Sequence, residues 1–182
     1  MAKSNLVTGT KDLVRLSFVH VAEPQKNNDG TEKYGVCIMI PKDKEALKSM
    51  FDEAINEAAV RDAAKWGGKV PKGLHLPIHD GDDVADERPE FADMWYLNAT
   101  SRERPGVLDE EGNRMLDFTE LYSGCWARVG LNFAGYSFQG NKGIGAYINN
   151  IQKMKDDTRL GGSRASAESD FGIEDDDDDD LT

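Results

Sequence analysis

A chain of 182 residues with a hydrophobic fraction of 38% can bury one ordinary core and hardly two. Its formal charge of -12 argues against an evenly acidic body, because nine acids fall from Glu168 onward without a Lys or Arg, leaving residues 1–167 at about -3. Two cysteines exclude a disulfide scaffold, and no apolar run is long enough for a signal peptide or a membrane span, so a cytoplasmic setting is expected.

In chain order, "LVRLSFVHVAEP" (13–24) alternates as a strand that Pro24 ends, with Leu16 and Phe18 inward and Arg15 and Ser17 outward. "QKNNDGTE" has turn chemistry, and "KYGVCIMI" (33–40) is a second strand with Tyr34, Val36, Ile38 and Ile40 toward the core. Cys37 lies in this run and Cys125 in a later one, where a reduced, buried thiol is the expectation. After Pro41 the period changes: Leu47, Met50, Phe51, Ala54, Ile55, Ala58 and Ala59 mark one stripe of a helix of about five or six turns. Asp43 is its expected N-cap and Gly67-Gly68 its end.

Residues 67–93, broken by Pro and Gly and then crowded with acids, read as a long loop. "MWYLNATS" (94–101) is a strand, "RPGVLDEEGNRMLDF" a protruding hairpin turning at Glu111-Gly112-Asn113, and "GCWARVGLNFAGYSF" (124–138) the longest strand. "QGNKG" turns the chain into its partner, "IGAYINNIQKM" (144–154). The sum is mainly β: five strands or more and one substantial helix. A five-stranded antiparallel barrel of the oligonucleotide-binding (OB) kind, with the helix across one end and extra hairpin and loops, buries that stripe and closes its own edges. A sandwich with one helix also fits. The folded domain is expected over residues 1–162.

Catalytic and metal patterns fare poorly. His75 and His79 have a zinc-pair spacing, but Pro77 separates them and no third ligand follows. "HDGDDVADE" (79–87) could hold a cation but reads as a solvated acidic loop, and "GNKGIG" leads into a strand rather than a phosphate-binding helix. No enzyme, cofactor or metal is implied.

Strand parity is more informative. In the long strand Ala127, Val129, Leu131 and Phe133 form a core row, and Trp126, Arg128 and Tyr136 lie in the outward one. In the preceding strand Trp95, Leu97 and Ala99 go inward; Tyr96 and Asn98 go outward, followed by Arg102 and Arg104. Flat rings can stack on any base and guanidinium groups meet phosphates, so these residues, with Arg15, Lys33 and Lys142, are candidate contacts for a single-stranded nucleic acid. The alternative is that Trp126 or Tyr136 simply covers core under the loops.

The end of the chain, 163–182, reads as a disordered acidic tail, since adjacent carboxylates repel and no apolar surface offsets ordering. Phe171, Glu174, Asp175, Asp176, Asp177, Asp178, Asp179 and Asp180 are its candidate partner-binding and regulatory residues. Tethered by "GGSRASAES", they would compete with nucleic acid for a basic groove and, once released, recruit basic proteins.

"ELYSGCWARVGLNFAGYSFQGNKGIGAYINNIQKMKDDTRLGG" resembles the C-terminal half of a family of phage-encoded single-stranded DNA-binding proteins, and "LVRLSFVHVAEP", "KYGVCIMIPK" and the following helix resemble its N-terminal half. The likeness spans about residues 10 to 162. It is similar in plan to the OB-fold proteins of T-odd phages, which also end in an acidic tail. The resemblance implies a barrel that coats single-stranded DNA during phage replication, recombination or repair in the host cytoplasm, with replication or recombination proteins met through the tail. Tails of this class commonly end in an aromatic residue, whereas this one ends Leu181-Thr182. Exposed barrel edges could pair two copies into a homodimer. The competing readings are an acidic DNA-mimic or protein-interaction module and, less well supported, a metal-dependent nuclease using Asp80, Asp82, Asp83 and Asp86.

Overall fold

The computed structural model describes residues 4–160. Its elements are β1 (Leu6–Val7), β2 (Val14–Lys26), β3 (Glu32–Pro41), α1 (Glu45–Arg61), β4 (His79–Asp80), β5 (Met94–Ser101), β6 (Gly106–Leu108), β7 (Trp126–Phe138) and β8 (Asn141–Lys155). The tail residues Phe171, Glu174 and Asp175 to Asp180, and the expected boundary at 162/163, lie outside the described residues. No helix among the described residues is long and apolar enough to cross a membrane.

β2 pairs with β3 and β7, β3 with β5, β5 with β8, and β8 with β7. The pairings return to their starting strand, so β2-β3-β5-β8-β7 close into a mainly β, OB-like barrel. The expected all-antiparallel closure does not occur: β5 and β8 meet in parallel at Thr100 and Tyr147. The reason is arithmetic. Direction alternates around an antiparallel ring, so an odd number of strands must contain a parallel pair.

The alternating rows fill the barrel as their pattern dictates. Ala127, Val129, Leu131 and Phe133 are buried, as are Val36, Ile38, Ile40, Leu97 and Ala99. The α1 stripe of Leu47, Phe51, Ala54, Ile55, Ala58 and Ala59 is buried across one end, with Phe51 edge-on to Phe133 at 6.4 Å. Cys37 and Cys125 are free and buried.

Several local expectations change. Lys44, not Asp43, is the helix N-cap, and it makes no capping side-chain bond; its ammonium reaches the Leu13 carbonyl at 3.1 Å instead. The turn after Pro41, closed by Lys44 N–H to the Pro41 carbonyl, puts Asp43 one residue too early. The helix is shorter than expected because Ala63–Trp66 tightens into a 3-10 turn, which Gly67 ends with φ 82°. β2 runs through Pro24, which falls where the β2–β3 register shifts and needs no ladder N–H. The 104–118 hairpin forms, with Leu108 bridged to Arg114 and Gly112 turning at φ 86°, but its base is anchored: β6 lies parallel on β8, and Met115 N–H returns to the Val107 carbonyl.

The free edge of β7 is closed by groups the α1 terminus delivers. Arg61 donates to the Phe133 carbonyl, Lys65 to that of Gly135, and the Trp66 indole to that of Tyr136. Asp62 accepts from Gly135 N–H at 2.7 Å. The Arg61 guanidinium and that N–H hold the Asp62 carboxyl down at about 2.

Candidate nucleic-acid interface

The outer face of β2, β3 and β5 should be wet by parity, yet Cys37 and Met39 on it are buried. They are covered by the loop of residues 81–93, which contributes Phe91 and Val84, with Met94 at the start of β5, to a second apolar cluster outside the barrel. Lys42, just past β3, anchors the loop by binding Asp80 at 2.6 Å and Asp82 at 2.7 Å, and holds both carboxyls below the ordinary range. Two of the acids that suggested a cation site, Asp80 and Asp82, are thus paired with an ammonium group. Among the described residues no three His, Cys, Asp or Glu converge as metal ligands.

Between the loop and the strands runs a groove of about 430 Å³. Its floor includes Cys37, whose thiol burial pushes up to about 12, so it behaves as an apolar surface. Tyr96, Phe18, His20, Asn98 and Arg88 line it. Tyr96 packs at 4.8 Å from Phe91 and 5.3 Å from His79, which fixes its ring. Burial lowers the His20 pKa below the ordinary value, favouring the uncharged ring.

Phe18 corrects the parity reading, which put it in the core. The β2–β3 register shifts between Ser17 and His20, and Phe18 adopts φ 47°, a left-handed conformation that costs a bulky residue roughly 1–2 kcal/mol. The irregularity reverses the inward row from Leu16 to Val21, buries Ser17, and sends the Phe18 ring into the groove. Arg88 lies over that ring at 4.7 Å.

A second groove of about 650 Å³ begins at the shared residue Asn98 and passes between the 75–79 segment and the β7–β8 hairpin. Tyr136, His79 and Phe138 line it, and Phe138 is 66% exposed. Two glycines of β8 make room for rings: a Cβ at Gly143 would strike Tyr136, and one at Gly145 would strike Tyr147. Both rings therefore lie against the sheet. Backbone bonds of His75 to Lys142 and Ile144 hold the opposite wall.

The nine candidate contacts do not share one surface. Tyr96 lines the first groove; Lys33 has the outward parity of Gly35 and pairs with the groove residue Gln25, while exposed Arg102 directly follows β5. Tyr136 lines the second groove, and Lys142 is exposed on its hairpin. Arg104 lies over Tyr34 and Phe118 and donates to the Ala22 carbonyl. Arg128 is bound by the Thr8 carbonyl and Gln152, and lines a separate depression with Arg114. Arg15 and Trp126 lie under the segment following β8 and are both engaged by Asp157. The expectation of one continuous contact face through Trp126, Arg128, Tyr136 and Tyr96 gives way to two joined grooves and two outlying sites.

This geometry meets known proteins at the level of family. The family described as Enterobacter phage Enc34, ssDNA-binding protein, matches residues 4–182. The chain belongs to this family. The solved single-stranded DNA-binding protein from bacteriophage Enc34 in complex with ssDNA is 31% identical, with a TM-score of 0.72 over 82% of this chain and 87% of that one. A second structure of the Enc34 protein is 28% identical, with a TM-score of 0.68 over 88% of this chain and 87% of that one. Gp2.5, a single-stranded DNA-binding protein encoded by bacteriophage T7, is 15% identical with a TM-score of 0.57 over 88% of this chain and 97% of that one, a likeness of fold alone. No curated protein matches the chain.

Side chains that the parity argument did not single out complete the family member's grooves: Phe18, His20, Arg88 and Phe138. One signal for Phe18 was present. Val14 and Leu16 are in phase with each other, but Val19 and Val21 are not, which marks an inserted residue between them.

Proposed function

We propose that the chain is a sequence-independent single-stranded DNA-binding protein acting in phage DNA replication, recombination or repair in the host cytoplasm. The observation that carries this reading is the pair of grooves meeting at Asn98, with Phe18 and Tyr96 on one side and Tyr136 and Phe138 on the other, and the Tyr147 ring against the groove residue Gly145. The rings supply flat apolar faces without a base-specific set of donors and acceptors, which suits stacking rather than readout. Arg88, Lys33, Arg102 and Lys142 are the cations placed to meet the backbone. Family membership and the DNA-bound Enc34 relative support the same ligand.

The acidic residues from Glu168 onward act as an intramolecular competitor and, when displaced, as a contact for replication or recombination proteins. Leu160, the last described residue, packs against the cluster that floors the first groove.

Titration with oligo-dT at two salt concentrations tests the proposal. Affinity should fall with added salt, with a logarithmic slope of about -0.7 per phosphate neutralised. Removal of residues 168–182 should tighten binding most at low salt. Absence of binding by either form would overturn the reading, and an activity abolished by tail removal would favour the protein-interaction alternative.

A further inference from the structure

The segment Asp156–Leu160 leaves β8 and crosses toward the first groove. The Asp157 carboxylate accepts from the Trp126 indole N–H at 2.8 Å and lies 3.7 Å from the Arg15 guanidinium. Arg15 also donates to the Thr158 carbonyl at 2.9 Å, and a Cβ at Gly124 would strike that same carbonyl. Lys44 and Arg15 lie over the Trp126 ring at 5.3 and 5.8 Å. At its far end Leu160 packs against the cluster containing Cys37, Met39 and Phe91, and its N–H reaches the Ser123 carbonyl.

We infer that Trp126, Arg15 and Lys44 form a second single-stranded DNA contact, continuous with the first groove, which the segment Asp157–Leu160 covers in the free protein with the Asp157 carboxylate where a phosphodiester oxygen binds. The inference rests on the proposed DNA-binding function. Its chemistry is that of matched acceptors. An indole and a guanidinium offer only donors, and a carboxylate or a phosphate satisfies them equally, but not both at once.

The cover is built to yield. Asp157 is 38% exposed and its ion pair with Arg15 is long, a class of contact that contributes little by itself. Leu160 is only partly buried. Asp156 is held by Tyr122 at 2.8 Å and Lys153 at 2.6 Å, and the Tyr122 hydroxyl also bonds the Asp157 backbone at 3.1 Å, so the Asp157 carboxylate and the residues after it can swing away while β8 stays anchored. A short strand confined to the grooves leaves the cover in place. A longer one offers the added phosphate and base that displace it.

The test uses the full chain with oligo-dT of about 5 and about 25 nucleotides, lengths near the lower end of the usual site size of one OB domain and above its upper end. Asp157→Asn should raise affinity for the long oligomer about five-fold, the scale expected from losing one charge-assisted contact, and leave the short one unchanged. Leu160→Ser, which frees the opposite end, should give the same length-dependent gain. In the unmodified chain the long oligomer alone should change the emission that Trp126→Phe removes. Equal effects of Asp157→Asn at both lengths, no effect of either variant, or a Trp126 signal indifferent to the long oligomer would each overturn the inference. If both oligomers bind but the variants are inert, only the covered site is refuted. If neither binds, the DNA-binding reading itself falls.

Discussion

The helix end and the groove face draw on the same residue types to opposite ends. Around the α1 terminus, Arg61, Lys65 and Trp66 each aim a donor at a β7 carbonyl, and Phe51 is sealed against Phe133. On the outer face of β2, β3 and β5, Arg88 rests on the Phe18 ring, and Phe18 and Tyr96 border open space. Aromatic and basic composition therefore does not mark a binding surface. What separates the two regions is whether the polar atoms already have partners and the rings already have neighbours on both faces.

The largest way to test that contrast is to remove a ring from the sealed side. Phe51→Ala should cost about 3–5 kcal/mol of stability, read as a lowered urea midpoint, while the affinity of the folded fraction for oligo-dT stays the same. A matching loss of affinity would mean that the helix end and the grooves are not energetically separate. Removing a ring from the open side should do the reverse. Phe18→Gly should weaken oligo-dT binding by about 1–3 kcal/mol, the usual contribution of one stacked base, with the urea midpoint little changed. Glycine accepts φ 47° without strain, which offsets the lost packing. A fall in stability of the Phe51→Ala size would show Phe18 to be core after all.

The smallest effect concerns Asp62, whose partners hold its carboxyl at about 2 in the folded chain, below its unfolded value of 3.8. Its contribution is complete above the unfolded value and is lost as pH falls through the folded one. Asp62→Asn should therefore reduce stability at neutral pH and flatten the decline between about pH 4 and 2, as urea unfolding across that range would show. An unchanged slope would remove Asp62 from the closure of the β7 edge.

Much of the barrel could be read from the chain because its rows obey local rules. The β7 row from Ala127 to Phe133 and the α1 stripe from Leu47 to Ala59 repeat at periods of two and of three to four, and both are buried. Asp43 illustrates the limit on local signals: it is a good capping residue in a place where the Pro41 turn starts the helix one position later. The candidate site was legible only in part. Tyr96 and Tyr136 were found because parity holds in regular strands, whereas Arg88 comes from a loop whose path depends on Lys42 binding Asp80 and Asp82 far along the chain.

By itself the sequence determined the strand rows, the helix stripe, the reduced cysteines and the concentration of acid after Glu168, since each follows from neighbours in the chain. Tertiary structure alone decided that Phe18 turns outward, that Arg128 is consumed by Thr8 and Gln152, and that Asp157 lies on Trp126 and Arg15. The physical reason is range. Periodicity says which side of a strand a residue occupies, but only the closed barrel says which distant group is waiting on that side.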